Sequence, residues 1–266
     1  MCKFSDFPLL FFILLTPAIN AQVLNVDREL THDSTRKNYD ITANIFLSSD
    51  KQKNNLIDFS TNLEYDLYLK NKYVILAFFR NDAVFNGTQM IQNEGLSHLK
   101  YRDNDHRSVS CELFAQHQWN GAWGMKFRFL SGANLRLKFI EKDNLDIYGA
   151  LGTFYEIEKW NWNGVNKNLV PQNASDIQRD IFRLNSYIKL SRKLTHHIDI
   201  SAISYLQFPL NAFFSHPRWF VDANMYIAAT DKLSLVLHWD HILDSYWVVP
   251  VDNFFYTFSM GLQVNL

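Results

Sequence analysis

A chain of 266 residues with a formal net charge of −1 is long enough for one large all-β domain or two ordinary domains. Because the charge is close to neutral and the sequence has no basic cluster, nucleic acid is not expected as a partner. The only cysteines are Cys2 and Cys111, which excludes a small secreted domain held by several disulfides and a zinc site built on cysteines.

The first 21 residues, MCKFSDFPLLFFILLTPAINA, have the layout of a secretory signal peptide. Lys3 gives a basic start, an apolar run extends over residues 7–15, and Ala21 is a small residue at the expected cleavage point. The run is too short to cross a bilayer as a helix. We therefore expect residues 1–21 to be removed and residues 22–266 to form the mature domain. The alternative is an ordinary apolar N-terminal helix.

After residue 22, apolar and polar residues alternate with a period of two. This pattern is typical of strands with two different faces, because successive side chains of a strand point to opposite sides. No later stretch has the eighteen or so apolar residues that a membrane helix needs. Twelve strands are predicted, beginning near Tyr39, Ile57, Tyr73, Gly95, Val109, Met125, Leu145, Arg179, Ile198, Trp219, Leu233 and Phe255.

The predicted links between these strands alternate between tight turns and wider loops. Short turns at one end, longer loops at the other and an even strand number are the plan of an outer-membrane barrel. The predicted fold class is therefore all-β, an antiparallel transmembrane β-barrel of about 12 strands with short periplasmic turns and longer extracellular loops. The wider links are predicted near residues 82–92, 161–177, 209–217 and 243–253.

A soluble β-sandwich or lipocalin-like barrel would also show alternation. However, several predicted strands reach ten residues or more, and a soluble core could not take so many charged residues on one face without a large desolvation cost. Tryptophans near the ends of the long loops indicate an outer aromatic girdle at the membrane–water interface. These are Trp119, Trp123, Trp160, Trp162, Trp219 and Trp247.

The hairpin formed by residues 125–139 and 145–158 predicts a ladder of opposite charges. If Ile140 lies opposite Asn144, three charge pairs meet on the inner side, and Gly132 faces Gly152. The ladder is either a charged constriction that selects or binds solutes or a salt-bridge network that fills a narrow barrel. The similar numbers of acidic and basic residues favour the network. The predicted pairs are Lys126–Glu158, Arg128–Glu156 and Lys138–Asp146, and the other predicted lumen residues are Glu64, Asp66, Glu112, Arg136, Arg179, Arg183 and Lys189.

A lipid hydrolase is the enzyme hypothesis, because outer-membrane phospholipases and lipid A deacylases use His and Ser two residues apart. The segments His32-Asp33-Ser34 and His106-Arg107-Ser108 have that spacing. Both are predicted at the periplasmic end, whereas those enzymes act on the outer leaflet, so no catalytic residue is assigned and a non-enzymatic barrel is expected.

No metal or cofactor is expected either. His238 and Asp240 are predicted to share an inward face, where an ordinary hydrogen bond is the simplest interpretation.

Several segments resemble the YdiY-like outer-membrane barrels, the family called domain of unknown function 481. They are NEGLSHLKYR (93–102), FLSGANLRLKF (129–139), YGALGTFYEIE (148–158) and SMGLQVNL (259–266). The segment YLQFPLNAFFSHPRW (205–219) is similar to the Bacteroidetes branch of that family. The resemblance covers most of the mature chain and implies a barrel, a signal peptide and the outer membrane. The family has no agreed activity and no assigned binding residues, so the resemblance implies neither for this chain.

Together these patterns predict a monomeric barrel in the outer membrane of a Gram-negative cell. Its expected role is that of a narrow or partly plugged pore, or of a structural barrel. The alternatives are a lipid-modifying hydrolase and a barrel that binds a partner through its extracellular loops. The expected partners are outer-membrane lipid, the barrel-assembly machinery during biogenesis and small solutes, without nucleic acid.

Overall fold

The computed structural model describes residues 39–51, 55–69, 73–103, 108–212, 215–230 and 233–264. The expected signal peptide, residues 1–21, lies outside these ranges. Within them, twelve antiparallel strands form one sheet in chain order, with two short 3-10 turns as additional elements. The described part of the chain has no helix that is long and apolar enough to cross a membrane.

All twelve predicted strands are present, and most begin within two residues of the predicted position. The sequence pattern therefore identifies the elements correctly, and the predicted all-β antiparallel sheet is confirmed. The strands are β1 (Tyr39–Lys51), β2 (Asn55–Leu69), β3 (Tyr73–Asn86), β4 (Gln89–Asp103), β5 (Val109–Asn120), β6 (Met125–Lys142), β7 (Leu145–Trp160), β8 (Ile177–Lys193), β9 (Ile198–Pro209), β10 (Arg218–Ala228), β11 (Leu233–Asp244) and β12 (Phe254–Val264).

One predicted loop is absent. Residues 82–92 belong mostly to β3 and β4, which are joined by a turn at Gly87 and Thr88. Gly87 has a φ of +64°, a conformation that glycine adopts without steric cost and that tight hairpins need. The prediction is wrong because Asp82 resembles a loop residue in sequence, whereas it is buried in the structure and pairs with Arg80 on the same strand.

The three longest links lie at the same end of the sheet. They are residues 161–176 between β7 and β8, residues 210–217 between β9 and β10, and residues 245–253 between β11 and β12. This end is called the long-loop end below, and the opposite end is called the short-turn end. The predicted asymmetry between the two ends is therefore present in the described chain.

The two faces of the sheet differ sharply. In β5, Glu112 and Gln118 are buried, whereas Leu113 on the other face is 51% exposed. Leu135 of β6 and Leu151 of β7 are likewise more than half exposed. The apolar face therefore points outward and the polar face inward, which is the reverse of a soluble protein and typical of strands surrounded by lipid.

The sheet curls around its polar face. The ring of Trp123, in the turn after β5, stacks on Phe255 of β12 with centroids 4.8 Å apart. The Tyr187 hydroxyl of β8 donates a hydrogen bond to Glu112 of β5 at 2.9 Å. Because side chains from distant strands meet on the polar side, that side is concave and the sheet is consistent with a barrel. The space enclosed by the concave face is called the interior.

The predicted register of the β6–β7 hairpin is wrong by two residues. Arg128 lies opposite Glu158 rather than Glu156, and Gly152 lies opposite Asn134 rather than Gly132. The pairing shifts at two bulges, between Met125 and Phe127 and between Lys138 and Ile140. The error begins at the turn, where Ile140 lies opposite Ile147 rather than Asn144. Each bulge then places an extra residue on β6 and reduces the error by one residue.

Candidate functional site in the filled interior

Glu156 of β7 lies at the centre of an interior ion-pair network and is fully buried. Arg128 of β6 contacts its Oε1 atom. Arg183 of β8 donates from Nε to Oε2 at 2.6 Å, and Arg218 of β10 donates from Nη1 to Oε1 at 2.9 Å. Guanidinium groups from three other strands therefore share one carboxylate.

Glu158, two residues further along β7, is also fully buried. Arg179 donates from Nη2 to its Oε2 at 2.6 Å, and Arg218 donates from Nη2 to its Oε1 at 3.4 Å. Arg218 also donates from Nε to Asp244 at 2.6 Å. The network continues into the last long loop, because Arg179 donates from Nη1 to the carbonyl of Tyr246 at 2.6 Å.

These contacts explain how so many charges can be buried. An unpaired buried charge costs several kcal/mol, whereas a hydrogen bond to a charged group contributes about 1.5–3 kcal/mol. Each carboxylate here accepts bonds from at least one guanidinium, so the cost of burial is offset. We call this group the buried network; it consists of Arg128, Arg179, Arg183, Arg218, Glu156, Glu158 and Asp244.

A chain of side-chain amides extends from the buried network towards the short-turn end. Arg218 donates to Gln207 at 3.5 Å, and Gln207 donates to Asn185 at 3.1 Å. Asn185 donates to Asn134 at 3.0 Å, and Asn134 donates to Glu112 at 3.4 Å. The amides thus connect the buried network to a second buried carboxylate.

Gly152 makes the Asn134–Asn185 hydrogen bond possible. It lies on β7 directly between Asn134 of β6 and Asn185 of β8. A Cβ atom at position 152 would overlap the Ala133 carbonyl oxygen and Asn134 Oδ1. The missing side chain therefore lets two amides meet across the strand that separates them.

Glu112 is the second carboxylate centre of the interior, with no exposed surface. Its Oε1 accepts from Arg102 Nε at 2.9 Å, and its Oε2 accepts from the Tyr187 hydroxyl at 2.9 Å. Arg136 lies 3.9 Å from Glu112, and its guanidinium lies over the Tyr148 ring at 3.7 Å from the centroid. The interior is thus also filled on the short-turn side of the buried network.

The predicted pair between Lys126 and Glu158 is not formed. The bulge at the start of β6 turns Lys126 to the outer face, where it pairs with Asp176 at 2.7 Å instead of Glu158. Lys138 donates to Glu141 at 2.7 Å. It lies opposite Tyr148 rather than Asp146, because the two strands already pair in a different register at the turn. The predicted contact between Arg128 and Glu156 does form, although the two residues are diagonal neighbours rather than direct partners.

The other predicted lumen residues lie on the concave face. Glu112, Arg136, Arg179 and Arg183 take part in the contacts described above. The other predicted residues, which follow, lie on the same face. Lys189 is buried, and Glu64, Asp66 and Asp146 are half-buried.

The ion pair on the outer face perturbs one exposed carboxyl group. Asp176 lies in the loop before β8, and the hydrogen bond from Lys126 lowers its pKa below the ordinary value of 3.8. The charge of Lys159, 4.0 Å away, acts in the same direction. Both lysines are about half exposed, so this pair is a surface feature separate from the buried network.

An apolar cluster fills the interior at the long-loop end. Trp160, the last residue of β7, is completely buried, and Trp123 is 4% exposed. Trp247 of the β11–β12 loop contacts both rings, with centroids 5.4 Å and 5.5 Å away. Phe255 packs against Trp123 and Trp247. We call Trp123, Trp160, Trp247 and Phe255 the aromatic plug.

The prediction of an outer girdle is wrong for the three tryptophans of the plug. Trp160 shares the inward direction of Glu158, and Trp123 lies in a turn that folds over the interior. Trp219 does lie on the outer face, as predicted, and is 43% exposed there. Trp239, not among the predicted girdle residues, is 40% exposed there as well.

Only some of the residues considered for catalysis or metal binding lie within the described part of the chain. His32-Asp33-Ser34 and the histidine of His106-Arg107-Ser108 lie outside the described residues, so the hydrolase motifs stay predictions. His238 and Asp240 do share the concave face, and His238 Nε2 lies 3.1 Å from Asp240 Oδ1. The described chain has no group of three or more His, Cys, Asp or Glu side chains suited to a metal ion.

Sequence reasoning misses several members of the site. Arg218 precedes the predicted start of its strand, and Asp244 falls within a predicted loop. Extending the alternation of β10 backwards from Asp222 would place Arg218 on the inner face. No comparable signal exists for Gln207, because its role depends on an amide chain through β6, β8 and β9.

The sequence matches no family model and no curated protein. The chain is similar in structure to a solved protein described as "NanC porin structure in rhombohedral crystal form". That similarity has a TM-score of 0.45 and 10% sequence identity, and it covers 85% of this chain and 99% of the other. At this distance, the likeness says nothing about what this chain binds or does.

Proposed function

We propose that this chain is a monomeric Gram-negative outer-membrane β-barrel of the YdiY-like type, closed by its own side chains. It acts as a structural barrel rather than as an open pore or an enzyme. The apolar outer face supports a position in a membrane, because side chains such as Leu113 and Leu151 are more than half exposed there.

The observation that carries the proposal is the burial of charge in the middle of the interior. Glu156, Glu158 and Arg183 have no exposed surface, and Arg218 is 1% exposed. In an open channel, charged lining groups face water. Here they face each other, and the aromatic plug covers them at the long-loop end.

A narrow pore that opens by loop movement is the second candidate. One observation favours it: two of the four plug residues, Trp123 and Trp247, lie on connections rather than on strands. Loops move more easily than paired strands. In this alternative, displacement of the β11–β12 loop would uncover the buried network.

Vesicle reconstitution separates these functions. The protein is refolded into lipid vesicles, and osmotic swelling in small sugars and lipid breakdown are measured on the same sample. A structural barrel gives neither swelling nor lipid breakdown above protein-free vesicles. Swelling would favour the pore, and lipid breakdown would favour the hydrolase.

A matched pair of variants shows whether the plug closes the interior. The variant Trp123→Ala/Trp247→Ala removes two plug residues, and Trp219→Ala removes an outward-facing tryptophan as the control. Swelling with the plug variant alone is the expected result. No swelling in any variant would show that the buried network blocks solutes without the plug.

A further inference from the structure

A groove crosses the outer face of the sheet from β6 to β10. Its volume is about 670 Å³, within the range of about 300–1,000 Å³ that is typical of small-molecule sites. Because neighbouring strands are roughly 4.8 Å apart, the four intervals from β6 to β10 give it a length of about 19 Å. Phe139 lies at one end, near the short-turn end of β6, and Trp219 lies at the other, at the long-loop end of β10. We call this feature the outer groove.

Small residues on three neighbouring strands form the floor of the outer groove. Gly149 of β7 and Ser204 of β9 lie in one row across the sheet, and Ser186 of β8 lies in the next row. Leu151 and Leu206 lie on either side of Ser186 in that row, and they are 57% and 38% exposed. The three small residues therefore leave a continuous depression between large apolar side chains.

The hydroxyl groups of the floor are already hydrogen-bonded within the protein. Ser186 Oγ donates to the Leu206 carbonyl at 3.0 Å, and Ser204 Oγ accepts from the Trp219 indole N–H at 2.9 Å. None of the described residues that line the outer groove is charged. Polar groups that face hydrocarbon must find their partners within the protein, so this lining suits a hydrocarbon occupant.

The shape of the outer groove favours a lipid acyl chain over a second copy of this protein. The hydrocarbon core of a bilayer is about 30 Å thick, so one leaflet supplies chains of about 15 Å, which the length of the groove accommodates. A second copy related by twofold symmetry would bring the same surface against itself. Groove would then face groove, and the space between the two copies would stay unfilled.

We propose that the outer groove binds one acyl chain of a membrane lipid, with the lipid headgroup at the Trp219 end. Indole rings favour the membrane–water interface, and Trp219 is the second residue of β10 at the long-loop end. At the other end, a Cβ atom on Gly149 would lie 2.6 Å from the Phe139 ring. That ring therefore lies over Gly149 and closes the groove beyond the end of the acyl chain. The inference rests on the proposed function, because only a barrel in a membrane presents this face to lipid.

Photocrosslinking of the unsubstituted protein tests the site. The refolded protein is reconstituted into phosphatidylcholine vesicles with a trace of phosphatidylcholine that carries a diazirine on one acyl chain, and labelled residues are identified by mass spectrometry. Leu151 in the groove should be labelled severalfold more than Leu113, which is also more than half exposed on the outer face but lies outside the groove. Equal labelling would overturn the acyl-chain site and leave the membrane position standing. An unlabelled outer face would overturn both.

A matched pair of serine variants tests whether the depression itself holds the chain. Ser186→Leu fills the floor with a larger apolar side chain, and Ser131→Leu makes the same change at an exposed position of β6 outside the groove. We expect the preferential labelling of Leu151 to be lost in Ser186→Leu alone. Preference that persists in Ser186→Leu, or is lost equally in both variants, would overturn the proposal. Crosslinked dimers that disappear only in Ser186→Leu would also overturn it, because they would assign the groove to a second copy.

Discussion

At the scale of single residues, Glu156 shows what sequence reasoning can and cannot predict. Its inward direction follows from alternation along β7, and its contact with Arg128 is predicted correctly. Its contacts with Arg183 and Arg218 are not predicted, because they depend on how strands β8 and β10 curve around the interior. Alternation assigns a side chain to a face, whereas curvature decides which residues of that face meet.

Replacing Glu156 by glutamine tests the buried network. The side chain keeps its size but loses its charge, which leaves Arg128, Arg183 and Arg218 short of one counter-charge. Removing one partner of a buried ion pair costs about 3–5 kcal/mol, so we expect the free energy of unfolding to fall by that amount. Denaturant titration of the refolded protein measures it. Glu141→Gln, which alters a more exposed pair with Lys138, is the control and should cost less than about 1 kcal/mol.

Asp176 gives a prediction about pH. Lys126 lowers the pKa of this carboxyl group, so the ion pair stabilises the folded chain above pH 3.8, the ordinary pKa of the group, and this contribution is lost as the pH falls through the lowered pKa. In Lys126→Met the pKa should rise towards the ordinary value, as measured by NMR titration of the Asp176 carboxyl carbon. Lys159→Met should raise it less, because Lys159 is 4.0 Å away. An unchanged pKa in Lys126→Met would contradict the assignment.

At the scale of elements, the β6–β7 hairpin combines correct and incorrect predictions. Both strands begin at their predicted residues, but the predicted register is wrong. The strands pair three residues away from the predicted register at the turn, and two bulges on β6 reduce this difference while the first of them turns Lys126 outward. A bulge depends on the balance between pairing and curvature over the whole sheet, and alternation within one strand does not reveal it.

Gly152→Ala tests the bridge across β7. A methyl group there would displace Asn134 and break its hydrogen bond with Asn185. We expect the free energy of unfolding to fall by about 1–3 kcal/mol, as for overpacking elsewhere in protein interiors. Gly261→Ala in β12 is the matched control, because nothing lies within 4 Å of a Cβ atom at that position. Equal effects in the two variants would show that the bridge contributes little.

At the scale of the whole molecule, the direction of the tryptophans decides which surface meets lipid. Brominated acyl chains quench only nearby fluorescence. Substituting the outward Trp219 or Trp239 by phenylalanine should therefore reduce the quenchable part of the emission in brominated-lipid vesicles. Substituting the buried Trp160 should leave that part unchanged. If Trp160→Phe removed as much quenchable emission as Trp219→Phe, the assignment of the two faces would be wrong.

The whole-molecule architecture can be predicted because it depends on strand count and alternation, which are local properties of the sequence. The closure of the interior cannot be predicted from such local properties. It requires Trp247 from one loop, Trp123 from a turn and Trp160 from a strand end to meet, and no pattern within one segment predicts such a meeting.

The claim that the interior is closed is tested most directly by single-channel conductance of the refolded protein in a planar lipid bilayer. The buried network and the aromatic plug together predict insertion without steady current steps. Stable steps that scale with salt concentration would contradict the account, because they would require a continuous water-filled path past Glu156 and Trp160.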